Sequence, residues 1–281
     1  MSRSQILKPI GKIGLYTVSD HVRQRSFIVM LSIGAAFVFF TRGCYQGTYL
    51  VNGRMMGAGT VAGSVSKVSF HSIALAMMIL AALLAMRAFS RDRENGMQAG
   101  ILAKPITRGQ YVAGKVIGLW SLAFACMFIL HAIVFGIIAL KVKVCMPSFL
   151  AASVLCSLNL ALVIISVLIV SLFLPDFVAF MAVMTVAAIS FVSNGIHALN
   201  QSQMLRTIPY NGAESQTGLT WKTILYHVWP KISELQITAA ALIDRGWSWG
   251  WGSIYPLVNI LAYCLILLVL LRRRFNEEEI R

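Results

Sequence analysis

Six apolar runs, at about 26–41, 69–89, 112–140, 149–174, 177–199 and 253–271, limit this chain more than any other feature it has. A bilayer's hydrocarbon core is crossed by about 20 apolar residues in a helix. Inside that core every backbone N–H and C=O must find its partner within the protein, so isolated apolar runs of this length become helices. The expected fold is therefore an all-α polytopic membrane protein with six transmembrane helices. The first run, SFIVMLSIGAAFVFFT, is short and needs residues from its flanks. Composition agrees, since 58% of the 281 residues are hydrophobic, 12% are charged, and the mean hydropathy is +0.76. A soluble domain carries about 25% charged residues.

The net charge of +14 suggests nucleic acid only if the spans are ignored. Basic residues flank the runs, where anionic headgroups hold them, and no basic stripe with interleaved aromatics marks a nucleic-acid surface. Arg3, Lys8, Lys12, Arg23, Arg25, Arg87, Arg91, Arg93, Lys104, Arg108, Lys115, Arg272, Arg273, Arg274 and Arg281 fall on one side of the spans. Fewer, spread over longer loops, fall on the other. The positive-inside rule then puts both termini in the cytoplasm, in what is expected to be a bacterial inner membrane. The first 26 residues are polar-mixed, and no small-residue cleavage site follows the first run, so no cleavable signal peptide is expected. Residues 1–25 place Ile10, Ile13, Val18 and Val22 among basic residues, which suits a helix lying on the cytoplasmic interface. Residues 26–281 then form the transmembrane domain. Its two notable loops are a cytoplasmic one at 90–108 and an outer one at 200–252.

In the outer loop Trp221, Leu225, Val228, Ile232 and Leu235 recur at helical spacing, interrupted by Pro230, and WSWGW precedes the last span. This reads as a short helical cap dipping into the interface, with an aromatic belt beside it. The outer stretch 42–68 reads as a loop rich in glycine. None of the five cysteines forms a C-x-x-C pair. Cys44 and Cys145 fall on the same outer side, where a disulfide between them is feasible.

Few residues offer chemistry. His71, His131 and His197 lie in the spans at similar depth, and Asn159 and Asn194 accompany them as interhelical hydrogen-bonders or pathway-lining groups. Intramembrane histidines are candidates for metal, haem or proton handling. No carboxylate stands near them in sequence to orient a ring, so neutral histidines bonded within the bundle are the expectation. No nucleophile and base come together. Asp176, after Pro175 at a tight turn, suits a helix N-cap. The chain is expected to be no enzyme by itself and to bind no metal or cofactor.

The 90–108 loop is the most specific segment: RAFSRDRENGMQAGILAKPITRGQYVAGKVIG, from Arg87 to Gly118. Met97, Ile101 and Lys104 are at helical spacing, Pro105 breaks the pattern, and the chain re-enters the membrane after Arg108. Asp92 and Glu94 are paired acids, Gly96 follows, then Pro105-Ile106-Thr107-Arg108, then Tyr111, Gly114, Lys115, Val116 and Gly118. This order resembles the permeases of ABC transporters of the type-2 exporter family, in which E-x-E-x-G-T is followed by P-[VI]-[ST]-R, then Y or F, then G-K-[FLV]-[LIV]-G. Met97 stands where the family has Thr or Ser. TVSDHVRQRSFIVM and the terminal LLRRRFNEEE also resemble the family's ends. The similarity is nearest to the branch containing the permease of the nitrous-oxide-reductase copper-site maturation transporter, a functionally diverse branch.

The resemblance implies a permease half that pairs with a second copy or a related chain. Each half would dock on a separate ATPase subunit, where ATP and Mg are bound. The segment with Asp92, Glu94, Gly96, Met97, Ile101, Pro105 and Arg108 would then be the coupling helix and its surround. Exposed ion pairs of Asp92 and Glu94 with neighbouring arginines would contribute about 0–1 kcal/mol each, leaving most docking to Met97 and Ile101. An extracytoplasmic accessory protein is compatible with the outer loop. The cargo compatible with spans this apolar is a lipid, hydrophobic peptide, glycan or drug-like molecule. Two other readings stand beside it: a membrane redox or metal-handling protein using the histidines, and an ABC-type scaffold that drives envelope assembly.

GQYVAGKV, 109–116, imitates a phosphate-binding loop but ends on Val116 where Ser or Thr must reach magnesium. It also leads into a span instead of following a strand. It is expected to bind no nucleotide. Gly109 and Gly114 would serve close packing, and Lys115 would snorkel to headgroups.

Overall fold

A computed structural model describes residues 3–41, 43, 50–51, 54–55, 58–97, 100, 103, 106–142, 147–201, 229–245 and 250–277. Nine helices carry the fold among these residues: α1 Arg3–Val22, α2 Arg25–Thr41, α3 Ala58–Met86, α4 Ala88–Glu94, α5 Arg108–Val142, α6 Ser148–Val170, α7 Asp176–Gln201, α8 Ile232–Arg245 and α9 Trp251–Glu277. The one extended piece described is a two-residue antiparallel ladder, β1 Leu50–Val51 against β2 Arg54–Met55. Five helices are long and apolar enough to cross a membrane, and α1 with α2, bent by 74° between them, makes a sixth if the pair is one span. The architecture is that of a polytopic, all-helical membrane protein.

Two boundaries differ from the sequence reading. The helix that carries the second span starts at Ala58, so GTVAG lies inside α3 and not in a loop. Neither proline nor carboxylate interrupts 58–86, and small residues continue a helix at little cost once its apolar half is packed. α5, at 35 residues, runs about 52 Å and so projects well beyond the hydrocarbon.

The core is centred on α3, α5 and α6, with Phe70, Met78, Leu119, Met127, Leu160 and Leu168 fully buried among them. α7 and α9 flank it and keep much of their apolar surface outward, toward lipid. α8 corrects the expectation of a surface cap. Leu235, Gln236 and Ala239 are fully buried, and the helix packs against α3, α6, α7 and α9. Asn159, midway along α6, donates to Ile232 O at 3.0 Å, so α8 begins at the depth of the middle of that span. Its buried residues lie where it touches the spans, and Ser233, Glu234 and the Gln236 amide nitrogen each make a hydrogen bond there, with Asn194, Lys231 and His71 O. Trp221, Leu225 and Val228, the Cys44–Cys145 pair, Trp247 and Trp249 lie outside the described residues.

α1 is more than an interfacial float. It makes its most extensive contact with α5, burying Ile13, Gly14, Thr17 and His21 while Leu15 and Tyr16 stay exposed. Gly114 and Gly118 permit this approach. A Cβ on Gly114 would lie 2.7 Å from Ile13 Cβ, and one on Gly118 would lie 2.8 Å from Gly14 O. The G-K-V-I-G sequence is a small-xxx-small face used at a helix crossing.

Candidate functional site: a buried joint behind the 90–108 loop

The chain leaves α3 at Arg87, turns, and forms α4 over Ala88–Glu94. Asn95 ends the helix, and Gly96 follows at φ +65°, the left-handed conformation that stops a helix and that glycine adopts without strain. Thus the paired acids sit on a helix of their own, before the glycine, and not merely ahead of one. Met97 is half-buried. Ile101 and Pro105 lie outside the described residues.

The acids separate sharply. Glu94 is exposed and pairs with Arg87 at 3.6 Å, a contact of about 0–1 kcal/mol at most. Asp92 is 4% exposed. Its carboxylate takes the Lys115 ammonium at 2.7 Å and accepts a hydrogen bond from the Tyr111 hydroxyl. Lys115 is itself 4% exposed, so it does not snorkel to headgroups as its position in the sequence suggested. A headgroup offers a mobile, hydrated phosphate, whereas Asp92 offers a fixed carboxylate one helix away. Tyr111 and Lys115, four residues apart, share one face of α5 and reach the same acid. A buried pair of this kind has a large desolvation cost, and removing one partner costs about 3–5 kcal/mol.

Five further ties tighten the joint. Arg91 donates to Asp20 of α1 at 3.1 Å. The Tyr111 ring stacks on Phe275 of α9 at 5.6 Å between centroids, and Phe89 of α4 lies 5.2 Å from Phe275. Arg108 Nη1 donates to Asn276 O at 2.8 Å, satisfying a carbonyl at the C-terminal end of α9. The Arg272 side chain lies against Gly109, where a Cβ would come 2.8 Å from its Nε. Ser90 donates to Asp176 at 2.6 Å, so that acid, expected as an N-cap, ties α4 to the start of α7. The near-miss phosphate loop is thereby absorbed: Gly109, Tyr111, Gly114 and Lys115 each hold a neighbouring helix. His21, buried on α1, shares a hydrogen bond with Thr17 O at 2.9 Å.

The other candidates sit elsewhere. His131 is fully buried, 2.8 Å from Ser153 Oγ and stacked on Phe70 at 4.7 Å. His71 Nδ1 is 3.1 Å from Gln236 Nε2. Both rings lie against Phe70, that of His71 edge-on at 5.9 Å between centroids and that of His131 stacked. The side chain of His197 lies outside the described residues. Asn194 donates to Ser233 Oγ at 3.2 Å, so both Asn159 and Asn194 bind α8. Among the described residues no group of three His, Cys, Asp or Glu is placed to hold a metal ion.

The sequence motif pointed to Asp92, Tyr111 and Lys115 without joining them. Asp20, Phe89 and Phe275 were missed. The i, i+4 spacing of Tyr111 and Lys115 on an apolar helix was the available signal. Asp20 and Phe275 needed tertiary structure.

Comparison with known proteins fits this picture. No curated protein matches the chain. The family model described as ABC-2 family transporter protein matches residues 18–280, a range that takes in Asp20, all of α2–α9 and every member of the joint. The protein belongs to the ABC-2 transporter family, as a membrane-embedded component that works with an ABC ATPase.

Proposed function

We propose that this chain is the permease subunit of an ATP-driven exporter, with 90–108 as the segment that docks on the ATPase and Asp92, Tyr111 and Lys115 as the joint that carries the motion into the spans. The observation that supports this most is the burial of Asp92 against α5. An exposed loop fixed by a dry ion pair to a 35-residue helix moves as one body with it. Glu94 and Gly96 stay exposed at the tip, available to a partner. Arg91 and Arg108 extend the same rigid unit to α1 and α9.

On this reading the termini and the loop are cytoplasmic, α1 is the interfacial segment of 1–25, and residues 26–281 form the permease domain. Two such chains, identical or related, form the pathway. The chain itself is non-catalytic and holds no cofactor; ATP and Mg act on the partner subunit. The loop motif favours the branch that includes the copper-site maturation permease, but that diverse branch assigns no cargo. The test is purification of the tagged chain with its neighbouring ATPase. A stoichiometric complex is expected, with ATP turnover at least about tenfold lower in Glu94→Ala or Gly96→Val. A chain that purifies without any nucleotide-binding protein contradicts the proposal.

A further inference from the structure

α6, α7 and α9 leave between them a groove of about 250 Å³, on the side of the bundle that α7 and α9 turn toward lipid. Leu162, Ile169 and Val170 of α6, Val183 and Val186 of α7 and Leu267 of α9 are its apolar walls, and Ser166 and Tyr263 bring its hydroxyl groups. Val186 is exposed, so the groove opens sideways. Pro230 and Ile232 bound one end of it, at the depth of Asn159 in the middle of α6. At the other end is Val170, where α6 finishes on the joint's side of the bundle.

Both walls run on from Val170 and Leu267 to one cation. On α9, Tyr263 and Leu267 are followed by Leu270 and Arg274 at i, i+4, i+7 and i+11, which keeps all four on one stripe of the helix. On α6 the chain passes from Val170 through a turn to Phe173, and the Arg274 guanidinium lies over the Phe173 ring at 4.8 Å. Arg274 therefore sits at the mouth of the groove, with Arg272 and Arg273 just before it. Among the described residues its carboxylate partner is Glu277 at 3.6 Å, an exposed pair that holds the guanidinium only weakly. From Tyr263 to Arg274 the stripe is about 16 Å long, close to half the thickness of a hydrocarbon core of about 30 Å. The groove and its mouth thus have the length of one leaflet.

We infer that this groove is a binding site for an anionic phospholipid of the leaflet on the joint's side, with one acyl chain between α6, α7 and α9 and the phosphate on Arg274. A cleft open to the bilayer at this depth meets hydrocarbon, and an acyl chain fills it at no polar cost. The guanidinium fork matches two phosphate oxygens. Charge then selects the headgroup: a zwitterionic lipid brings its own ammonium against Arg273 and Arg274, and an anionic one does not. Bound there, the lipid joins three helices across their gap, whatever the chain transports.

The probe is palmitoyl-oleoyl phosphatidylglycerol, with phosphatidylcholine of the same two chains as the zwitterionic control. Retention by the full chain in a neutral maltoside detergent is read by native mass spectrometry. One phosphatidylglycerol per chain is expected to remain under conditions that strip phosphatidylcholine. Arg274→Gln, at an exposed position that folding does not depend on, should weaken phosphatidylglycerol binding at least about tenfold. Arg273→Gln removes the same charge one residue away and off the stripe, and should weaken it less than about twofold. Val186→Trp and the smaller Ala182→Leu both fill the groove, and each should weaken binding with Arg274 in place and the unfolding temperature in lipid-free detergent unchanged. Equal retention of the two lipids, or equal losses in Arg274→Gln and Arg273→Gln, would reduce the effect to general surface charge and overturn the site. Undiminished binding by both filled variants overturns the placement of the acyl chain. The assay contains no ATPase, so absence of an ATPase complex sinks the transport reading and leaves this result standing.

Discussion

The two ends of the bundle handle buried polarity in opposite ways. At the 90–108 end, Asp92 is met by Lys115 and Tyr111, Arg91 by Asp20, and Arg108 by the carbonyls ending α9. At the α8 end the partners run out. Asn159 Oδ1, Gln236 Oε1 and Trp229 Nε1 are buried with no hydrogen bond among the described residues, and a small cavity opens beside Trp229. A fully paired cluster in a dry setting is stiff, because any displacement strands a charge. A partly paired one loses little by rearranging. The first end is built to transmit a displacement, and the second to yield to one.

The largest expected effect is therefore at Asp92. Asp92→Ala leaves the Lys115 ammonium buried without its acid, and should destabilise the protein by about 3–5 kcal/mol. Thermal unfolding in detergent would show it. Asp92→Asn with Lys115→Met should recover most of that loss, since no uncompensated charge remains. An equal loss in the double variant would mean the pair is not the source of the stiffness.

Gly118→Val comes next. Its side chain meets Gly14 O and Thr17 Cβ at 2.8 Å, so α1 must move off α5, at about 1–3 kcal/mol for overpacking. Faster limited proteolysis within α1, with α2–α9 intact, is the expected outcome. At the yielding end, Asn159→Leu exchanges one hydrogen bond to Ile232 O for apolar contact and removes an unsatisfied oxygen. Its cost should stay below about 1 kcal/mol, in line with polar contacts between membrane helices. If Asn159→Leu proved as damaging as Asp92→Ala, the contrast between the two ends would fail. Smallest of all is Arg87→Ala. Its partner Glu94 is exposed, and the pair should contribute no more than about 0.5 kcal/mol by the same unfolding measurement.

Much of this architecture was legible in the residues because lipid enforces it. An apolar run of sufficient length has one solution in a bilayer, so the spans could be located within a few residues of their observed ends. The departures occur where small residues decide. Gly59 and Gly63 carry no apolar signal, yet they sit in α3 because the segment has nothing to break it. α8 looked like a surface cap because its apolar residues are interrupted by Gln236 and Glu234, and only tertiary packing shows both facing protein. Lys115 was misread for a physical reason. A lysine at a span's end has two outlets, headgroup or carboxylate, and sequence spacing does not say that Asp92 lies within reach. Asp20 and Phe275, 72 residues before and 183 residues after Asp92 in the chain, are brought to it by the fold alone.

The central claim is that motion imposed on the 90–108 loop reaches the far end of the spans through the Asp92–Lys115–Tyr111 joint. It is tested most directly by double electron–electron resonance in the permease–ATPase complex, with spin labels at Leu140 and Trp251, exposed sites near the far ends of α5 and α9. Native protein should show a distance change on adding ATP. With Asp92→Asn and Lys115→Met together, the change should be lost while the ATPase remains bound and still hydrolyses ATP. An undiminished ATP-dependent change in that variant would contradict the account.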